Sequence, residues 1–554
     1  MILNASLKPV GLPALLCAAL VMLPLLAVLA IAMGAWTPVA ITGGAWAHLV
    51  DTGLATYAAN SLLLVILVAI GVTLVGVGSA WLTVMCEFPG RSTVAWLLAL
   101  PLAIPAYVMA YAYTDFLQFS GPLQSGLRAL IGVDGLEWKA RGYWFPEVRS
   151  LPGAALMFVL VLYPYVYLPV RAAFASGGAN QFEAARTLGL SPGAAFVRVM
   201  LPLARPAIAG GVLLALMETL ADFGAVSYFG VDTFTTGIYK AWFGLGDKAA
   251  AARLACLLLG CTLLLLWLER VQRGRARYLS SASRSGGAVF RWQGWQRGMG
   301  IVLGAAPVLL GFVLPVAILL RLGLKETEGV EWTRFVQYGV NSMTVATVAA
   351  LVALLVALII GYAVRLDRRL EWTARVAALG YGVPGAVIAV GVLIPLGLLD
   401  NTLDAFMRKQ FGISTGLLLT GSITALVFAY VVRFLAVAFA NVESGLARVT
   451  PSMDDAARSA GFSALQTLWR VHMPMIAKSL AVAMLLVFVD AMKELPATLA
   501  VRPFNFDTLA TAAYTLAKDE RLGEAAWPCL AIVLVSLAPV LLLSRVLAAR
   551  RSSA

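Results

Sequence analysis

The sequence predicts an all-α integral membrane protein whose transmembrane helices, about twelve in number, form two repeats of six. Three observations lead to this fold class. Of the 554 residues, 61% are hydrophobic and only 12% are charged, and the mean hydropathy is +0.88. The apolar residues fall in stretches of the length that crosses a bilayer as a helix, about 20 residues. Short patterns in the first half of the chain also return at matching places in the second half.

This composition excludes several classes of protein. A soluble enzyme could not hide so much apolar surface from water, and a disordered chain needs the opposite composition. The net charge is +13. In a membrane protein an excess of Lys and Arg usually lies in cytoplasmic loops beside anionic lipid. Since the sequence has no long basic soluble segment, we expect a lipid bilayer and no nucleic acid as a partner.

Apolar length and flanking turn residues predict where the spans lie. The first six are expected near 12–34, 57–82, 94–117, 152–175, 205–228 and 251–269. The second six are expected near 299–322, 339–364, 374–399, 414–440, 478–497 and 525–547. The strands of a membrane barrel would instead show alternating segments of about ten residues. The first apolar stretch is longer than the core of a secretory signal, so we expect a retained helix.

A basic stretch separates the two halves. Residues 270–297 contain seven arginines and no acid, together with many Ser and Gly residues. We therefore expect a first transmembrane half at 1–272, a basic cytoplasmic linker at 273–297 and a second transmembrane half at 298–554. Further arginines after the eighth span and at the C-terminal end fall on the same side if both termini are cytoplasmic.

Cysteine and histidine are scarce. The five cysteines form no CxxC pair and most lie in apolar runs, so neither a disulfide framework nor a zinc site is expected. The two histidines, His48 and His472, are interpreted as ordinary loop or interface residues. We expect no firmly bound metal and no cofactor in this chain.

The internal repeat is clearest between the fourth and fifth spans of each half. The first copy contains Glu183, Ala184, Ala185, Gly189 and Pro202. The second copy contains, 272 residues later, Asp455, Ala456, Ala457, Gly461 and Pro474. Six predicted spans separate the copies, so both face the same side of the membrane, as in a parallel repeat. The second span of each half also opens alike, with Asn60-Ser61 and Asn341-Ser342.

The repeated pattern predicts a short helix beneath the membrane. The acid is expected in the first helical turn, where the helix dipole favours it. The alanines leave a surface for close packing, the glycine ends the helix, and the proline marks the start of the next membrane helix. Such a helix suits docking into a groove on another protein; an ordinary amphipathic loop helix is the alternative.

These residues resemble the EAA loop of ABC importer permeases: EAA, three residues, Gly, nine residues, a branched apolar residue, one residue and Leu-Pro. The second copy departs from it, since Asp455 replaces the glutamate and Met473 the leucine. The resemblance implies that each loop forms a coupling helix seated in a cytoplasmic ATPase. Two copies of a P-loop ATPase would then bind and hydrolyse ATP, which agrees with the lack of a GxxxxGK[ST] motif in this chain.

A narrower resemblance covers most of the chain. The stretches 217–230, 235–244, 490–498 and 502–511 are similar to the fused, double-length permeases of ferric iron importers. This resemblance implies a bacterial inner-membrane transport subunit, not an enzyme, that receives ferric iron from a periplasmic binding protein. Docking on outer loops near 229–250 and 498–523 and an alternating-access cycle are implied too. Permeases for thiamine and other small solutes share the doubled plan, so they stay open as alternatives.

Acidic residues inside predicted spans form a second repeated feature. Glu218 and Asp222 lie four residues apart in the fifth span, and Asp490 and Glu494 lie four apart in the eleventh, with the same offset of 272. This spacing predicts that each pair projects from one helix face. The acids could line a path for a hard cation between the halves. They could equally be structural, paired with Lys493, with tyrosines such as Tyr228 or with helix termini.

Two functions from other classes remain as alternatives. A secondary transporter driven by an ion gradient could use the membrane acids as proton carriers, but it gives no reason for two identically placed docking loops. A membrane scaffold or receptor that transports nothing is disfavoured by the paired acids.

Overall fold

The computed structural model describes residues 8–34, 44–132, 144–274, 290–326 and 329–552. These residues are almost entirely helical, and their strand content is one short parallel pair, β1 (Cys86–Glu87) with β2 (Phe290–Arg291). Residues 275–289, which make up most of the predicted basic linker, lie outside the described residues.

The first half of the described chain is a succession of long apolar helices and short connecting ones. In chain order they are α1 (Lys8–Ala32), α2 (Gly44–Thr52), α3 (Leu54–Met85), α4 (Arg91–Leu97), α5 (Ala106–Leu117), α6 (Pro122–Ile131), α7 (Leu151–Ala173), α8 (Ala179–Thr187), α9 (Pro192–Ala195), α10 (Leu201–Ala221), α11 (Gly224–Tyr228), α12 (Phe234–Tyr239) and α13 (Lys248–Gly274). Short π-helical segments extend several of them, at Phe174–Gly178, Phe196–Met200 and Lys240–Gly244.

The second half follows the same order. Its helices are α14 (Trp295–Val308), α15 (Leu314–Lys325), α16 (Trp332–Leu366), α17 (Glu371–Ala377), α18 (Gly385–Phe411), α19 (Ile423–Leu446), α20 (Pro451–Ser459), α21 (Ala464–Thr467), α22 (Met473–Met492), α23 (Pro496–Val501), α24 (Leu509–Lys518) and α25 (Leu522–Ser552). The π-helical segments here are Leu309–Val313 and Leu468–His472, and the 3₁₀ segments of the whole described chain are Leu100–Ala103, Arg368–Leu370 and Gly380–Gly382.

Eleven helical segments of the described residues are long and apolar enough to cross a membrane, and a bent pair raises the number to twelve if it counts as one span. A span must satisfy its own backbone hydrogen bonds in lipid, which a helix does. The prediction of an all-α membrane protein with about twelve spans is therefore confirmed.

Proline interrupts the third predicted span. It was expected as one helix over 94–117, but the chain bends by 95° between Ala103 and Ala106. Pro105 stands at this break in an extended conformation, with φ −63° and ψ 148°. Pro384 stands at the corresponding break before α18, with φ −58° and ψ 143°. Proline lacks an amide hydrogen and disfavours a helical residue before it, so both breaks have the same cause.

Other span boundaries differ from prediction too. The ninth span, expected near 374–399, lies at Gly385–Phe411, and the fifth and eleventh begin earlier than expected, at Pro192 and Ala464. The fifth and eleventh spans, expected to run to 228 and 497, end at Ala221 and Met492. The tenth, expected near 414–440, lies at Ile423–Leu446. Residues 412–422 instead form a loop whose amides bond to Asp400 and Asp404 of α18, and hydropathy alone does not reveal this.

Contacts divide the chain into two compact units. Unit 1 comprises the described residues of Met1–Ala47, Ile238–Leu259 and Glu331–Ala512. Within it α1 packs against α16, α17 and α18, while α16, α19 and α22 pack against one another. A Cβ atom on Gly391 would lie 2.3 Å from the carbonyl oxygen of Pro24. Glycine therefore permits the close approach of α18 to α1.

Unit 2 comprises the described residues of His48–Gly237, Gly260–Val330 and Ala513–Ala554. Its centre is the mutual packing of α3, α7 and α10, and α15 packs against α25. A Cβ atom on Gly76 would lie 2.7 Å from Cβ of Val166, and one on Gly211 would lie 2.5 Å from the carbonyl oxygen of Tyr165. Small residues thus set the helix separations here too.

The two units are not the two predicted sequence halves. Each unit takes segments from both halves, because α1 packs with helices of the second half and α25 with helices of the first. The boundaries 1–272, 273–297 and 298–554 describe the repeat in the sequence and stay a prediction.

Candidate functional site

The first EAA segment, residues 179–202, is a short helix followed by a sharp turn. Helix α8 ends at Thr187, and Gly189 adopts φ +90°. The amide of Leu190 reaches back to the carbonyl of Ala185 at 3.2 Å. Ser191 then caps α9, which continues through the π-helical segment Phe196–Met200 into α10, so Pro202 lies inside one helical span, Pro192–Ala221. Glycine stops this helix because the left-handed conformation strains residues that carry a Cβ.

The second EAA segment, residues 451–474, repeats this geometry. Helix α20 ends at Ser459, Gly461 adopts φ +81°, and the amide of Phe462 bonds the carbonyl of Ala457 at 3.0 Å. Ser463 begins the next helix with a capping box. A short helix and a glycine turn are therefore present in both copies. Pro202 and Pro474 were expected to start the next membrane helix, but they lie inside the continuous helical spans Pro192–Ala221 and Ala464–Met492.

One detail of the predicted helices is wrong. Glu183 and Asp455 were expected in the first helical turn, but each is the fifth residue of its helix, since α8 begins at Ala179 and α20 at Pro451. The motif therefore lies in the middle of the helix, where the dipole of the helix N-terminus acts weakly.

The motif residues divide between an exposed and a buried face. Glu183, Ala184, Asp455 and Ala456 are exposed. Their neighbours Ala185 and Ala457 are each only 5% exposed and pack inward. Large apolar side chains of the two EAA segments are exposed as well. These are Leu188, Val197, Leu465 and Trp469.

The predicted acid pairs do not share one helix face. Helix α10 ends at Ala221, and Asp222 lies beyond it with ψ 141°. Its Oδ1 atom accepts hydrogen bonds from the amides of Ala225 at 2.9 Å and Val226 at 3.3 Å. Asp222 therefore caps the first turn of α11, and it lies at the break where the membrane helix α10 ends.

Glu494 does the same after α22. Its two carboxylate oxygens accept from the amides of Ala497 and Thr498, both at 2.9 Å. Arg433 lies 3.5 Å from Oε1 of this carboxylate, and the side chain of Glu494 is 2% exposed. The second acid of each pair thus has a defined structural task, as the structural alternative anticipated.

The first acid of each pair, Glu218 or Asp490, remains on its membrane helix. Both are half-buried near the ends of α10 and α22. Asp490 pairs with Lys493 at 2.9 Å, which the sequence suggested. Tyr228, the other suggested partner, is 3.5 Å from Arg149 instead. Burial raises the pKa of Tyr228, and the adjacent Arg149 opposes that rise.

The Asn-Ser pairs hold the segments that follow the acids. Asn60 donates to the carbonyl of Asp232 at 3.0 Å, and Ser61 accepts from the amide of Phe234 at 3.3 Å. In the second half the equivalent asparagine and serine make corresponding bonds. Asn341 donates to Asp507 at 2.9 Å and Ser342 accepts from Leu509 at 2.8 Å. The sequence marked these residues only as a repeat.

A cavity of about 390 Å³ lies in unit 2, beside the end of α5 and the start of α7. Glu147, Arg149 and Glu520 are among its lining residues. Glu520 has φ +61°, in the left-handed region that strains a residue other than glycine. Within the described residues, no group of three or more His, Cys, Asp or Glu could hold a metal ion.

The family match agrees with this repeated geometry. The model of the binding-protein-dependent transport system inner membrane component matches residues 73–277 and again 353–553. The chain belongs to this family. Each match includes one EAA segment and one acid pair, so both copies of the site lie within a copy of the family domain. Membership makes the chain a multi-pass inner-membrane subunit of an ABC transport system rather than an enzyme.

Relatives of this family member include full-length and half-length permeases. The chain is 26% identical to the Fe(3+)-transport system permease protein FbpB 2 of Haemophilus influenzae over 503 residues, 89% of this chain and 90% of that protein. It is 25% identical to the ferric transport system permease protein FbpB of Actinobacillus pleuropneumoniae over 444 residues, 76% of this chain and 60% of that one. Over 211 residues it is 31% identical to the molybdenum transport system permease protein ModB of Escherichia coli, 36% of this chain and 87% of ModB.

Proposed function

We propose that this chain forms the translocation path of an ATP-driven importer for ferric iron. The observation that carries the proposal is the similarity to the Fe(3+)-transport permease over nine-tenths of both chains. The doubled domain supports it, because one fused chain supplies both membrane halves. A periplasmic binding protein would deliver the iron, and both termini would lie in the cytoplasm.

The two EAA segments are proposed to dock two copies of a cytoplasmic ATPase. Each presents an acid and an alanine outward, while the next alanine anchors the helix. Exposed Leu188 and Trp469 add apolar surface to the two faces. Apolar contacts rimmed by charge are typical of protein interfaces. ATP binding and hydrolysis in the partner would then move α8 and α20.

The acidic residues of the two repeats would attract the cation within the translocation path through their negative charge. Carboxylates suit a hard trivalent cation, and the binding must stay weak so that the ion can leave. Glu218 and Asp490 are the better candidates for this role. Asp222 and Glu494 already accept two amide hydrogen bonds each. The described chain thus offers one half-buried acid per repeat on α10 and α22.

Uptake of labelled ferric ion at limiting iron tests the proposal. Cells that lack the chain should lose uptake, and the intact chain should restore it. The double variant Gly189→Pro with Gly461→Pro should not restore uptake, because proline fixes φ near −65° and cannot adopt the observed positive angles. An immunoblot of membranes checks that the variant is present. Unchanged uptake without the chain would remove the iron assignment.

An oxyanion is a second candidate cargo. The similarity to ModB is local but reaches 31% identity. The acids of the second half also have cationic neighbours, Lys493 beside Asp490 and Arg433 beside Glu494. Uptake of labelled molybdate in the same cells separates the two cargoes. Chain-dependent uptake of molybdate and none of iron would favour the anion.

A further inference from the structure

Asp454, the residue before the acid of the second EAA motif, is bonded through both carboxylate oxygens. Oδ2 lies 2.7 Å from a guanidinium nitrogen of Arg365, and Oδ1 lies 2.7 Å from Nε2 of His472. His472 is only 1% exposed. Because a carboxylate can only accept, Nε2 of His472 must carry the hydrogen. The carboxylate therefore ties α20 to two other parts of unit 1.

Arg365 extends the network to the ends of two membrane helices. It lies in the last turn of α16 and donates to the carbonyls of Leu446 at 2.8 Å and Val449 at 2.9 Å, where α19 ends. The carbonyl of Leu446 also accepts from the amide of Val449 at 3.1 Å, so the guanidinium adds a second donor to the turn that follows α19. Asp454 thereby connects α20 with α16 and, through Arg365, with α19.

His472 extends the network in the other direction. It is the last residue of the π-helical segment that leads into α22. The Tyr362 ring packs edge-on against its imidazole at 5.7 Å, and the Tyr362 hydroxyl donates to the carbonyl of Ala464 at 2.5 Å. The N-terminal end of α22 is therefore bonded, through His472, to the carboxylate of Asp454 on α20.

The first half has apolar residues at the two corresponding positions. The positions 272 residues earlier carry Phe182 and Met200. Phe182 is 1% exposed and Met200 is fully buried. The Phe182 ring packs edge-on against Phe290 of β2, with centroids 5.6 Å apart. Phe182 is therefore packed against an aromatic ring, whereas Asp454 at the corresponding position of α20 is held by Arg365 and His472.

We propose that Asp454 is a positioning residue that transmits movement of the second EAA segment to α16 and α22. The inference rests on the proposed ATPase docking, and it makes the two docking helices unequal. Removing one partner from a largely buried ion pair leaves the other charge unpaired, which costs more than the pair contributes. A neutral residue at this position should thus release α20 from the membrane helices without altering its exposed docking face.

Hydrogen exchange and transport coupling together test this role. In the full chain, Asp454→Asn should speed amide exchange of α20 about tenfold, the scale expected for one lost charge-assisted hydrogen bond, while α8 is unchanged. In membranes with its ATPase, the variant should import less substrate per ATP hydrolysed. Asp367→Asn is the matched control. Asp367 is a nearby acid that caps the 3₁₀ segment, and asparagine caps too.

Two rescue variants separate anchoring from simple misfolding. Asp454→Glu keeps the charge, and the double variant Asp454→Phe with His472→Met copies the apolar anchor of the first half. Either should recover part of the exchange protection and of the coupling. Wild-type exchange and coupling in Asp454→Asn would overturn the inference. Absence of iron import by the wild-type chain would count against the proposed function instead, because the exchange of α20 does not depend on the cargo.

Discussion

The side-chain amide of Asn60 donates a hydrogen bond to the main-chain carbonyl of Asp232, 172 positions along the chain. In the second half Asn341 makes the same bond to Asp507, 166 positions away. Each bond joins the start of a long membrane helix, α3 or α16, to the chain that follows an acid-capped break. We call residues 222–239 and 494–511 the acid-following segments.

These two asparagines are expected to hold the acid-following segments in place. Asn60→Ala with Asn341→Ala should lower stability by about 1–2 kcal/mol, because each change leaves a carbonyl without its donor. Thermal unfolding in detergent and amide exchange of residues 232–236 and 507–511 measure the effect. Asn401→Ala is the control, since Asn401 is exposed on α18. Equal exchange in the double variant and the control would contradict the expectation.

The glycines that end α8 and α20 are expected to be sensitive to a single added methyl group. A Cβ at Gly189 or Gly461 would meet no atom within 4 Å, so the strain comes from positive φ alone. Gly189→Ala should therefore destabilise the first EAA segment by about 1–2 kcal/mol. Gly193→Ala is the matched control, because Gly193 is also unobstructed but lies within α9.

Exchange of residues 179–190 and ATPase-coupled uptake report the effect. Faster exchange in Gly189→Ala than in Gly193→Ala is the expected result. If both variants behave alike, the turn tolerates a side chain and the glycine has another purpose.

The sequence predicted where the short helices of the EAA segments end, because that signal is local. A glycine with positive φ determines where each short helix stops, and both copies show it. The prolines were a poorer signal, because the next helices begin before them, at Pro192 and Ala464. The acid pairs were predicted less well, because spacing alone assumes that the helix continues. Pro496, two residues after Glu494, was an available signal of the second break, and it falls in the first turn of α23.

The break after α10 has no proline, so the sequence around Asp222 gave no comparable signal.

The Asp454 network could not be predicted from the sequence for a different reason. Arg365 and Asp454 are 89 positions apart, and only the tertiary fold brings them together. His472 was interpreted as an ordinary loop or interface residue, yet its imidazole is hydrogen-bonded to Asp454, the residue before the acid of the second EAA motif.

The acids are expected to separate into transport and stability roles. Glu218→Gln with Asp490→Asn should slow cation import severalfold and leave the unfolding temperature nearly unchanged. Asp222→Ala should instead lower stability by about 0.5–2 kcal/mol, since it removes the cap of α11. Import by the first variant at the wild-type rate would return Glu218 and Asp490 to a structural role.

Two glycines of α18 offer a last test, because the same substitution should destabilise the protein at one position and not at the other. A Cβ at Gly385 would lie 2.4 Å from a guanidinium nitrogen of Arg433 and 2.6 Å from a carboxylate oxygen of Glu494. Gly385→Ala should therefore separate this buried pair and lower the unfolding temperature, with a cost of about 1–3 kcal/mol from overpacking. At Gly397 a Cβ would meet nothing within 4 Å. Gly397→Ala should then be neutral or stabilising by up to about 1 kcal/mol, through helix propensity.

The comparison also tests whether Arg433 and Glu494 are held rigidly. If Gly385→Ala unfolds at the wild-type temperature, the Arg433 side chain can move aside without loss, and its contact with Glu494 contributes little. If the variant is destabilised, Arg433→Met should be destabilised as well, because it leaves the carboxylate buried without its cation. Thermal unfolding of the three variants in one detergent, followed by circular dichroism, decides between these outcomes.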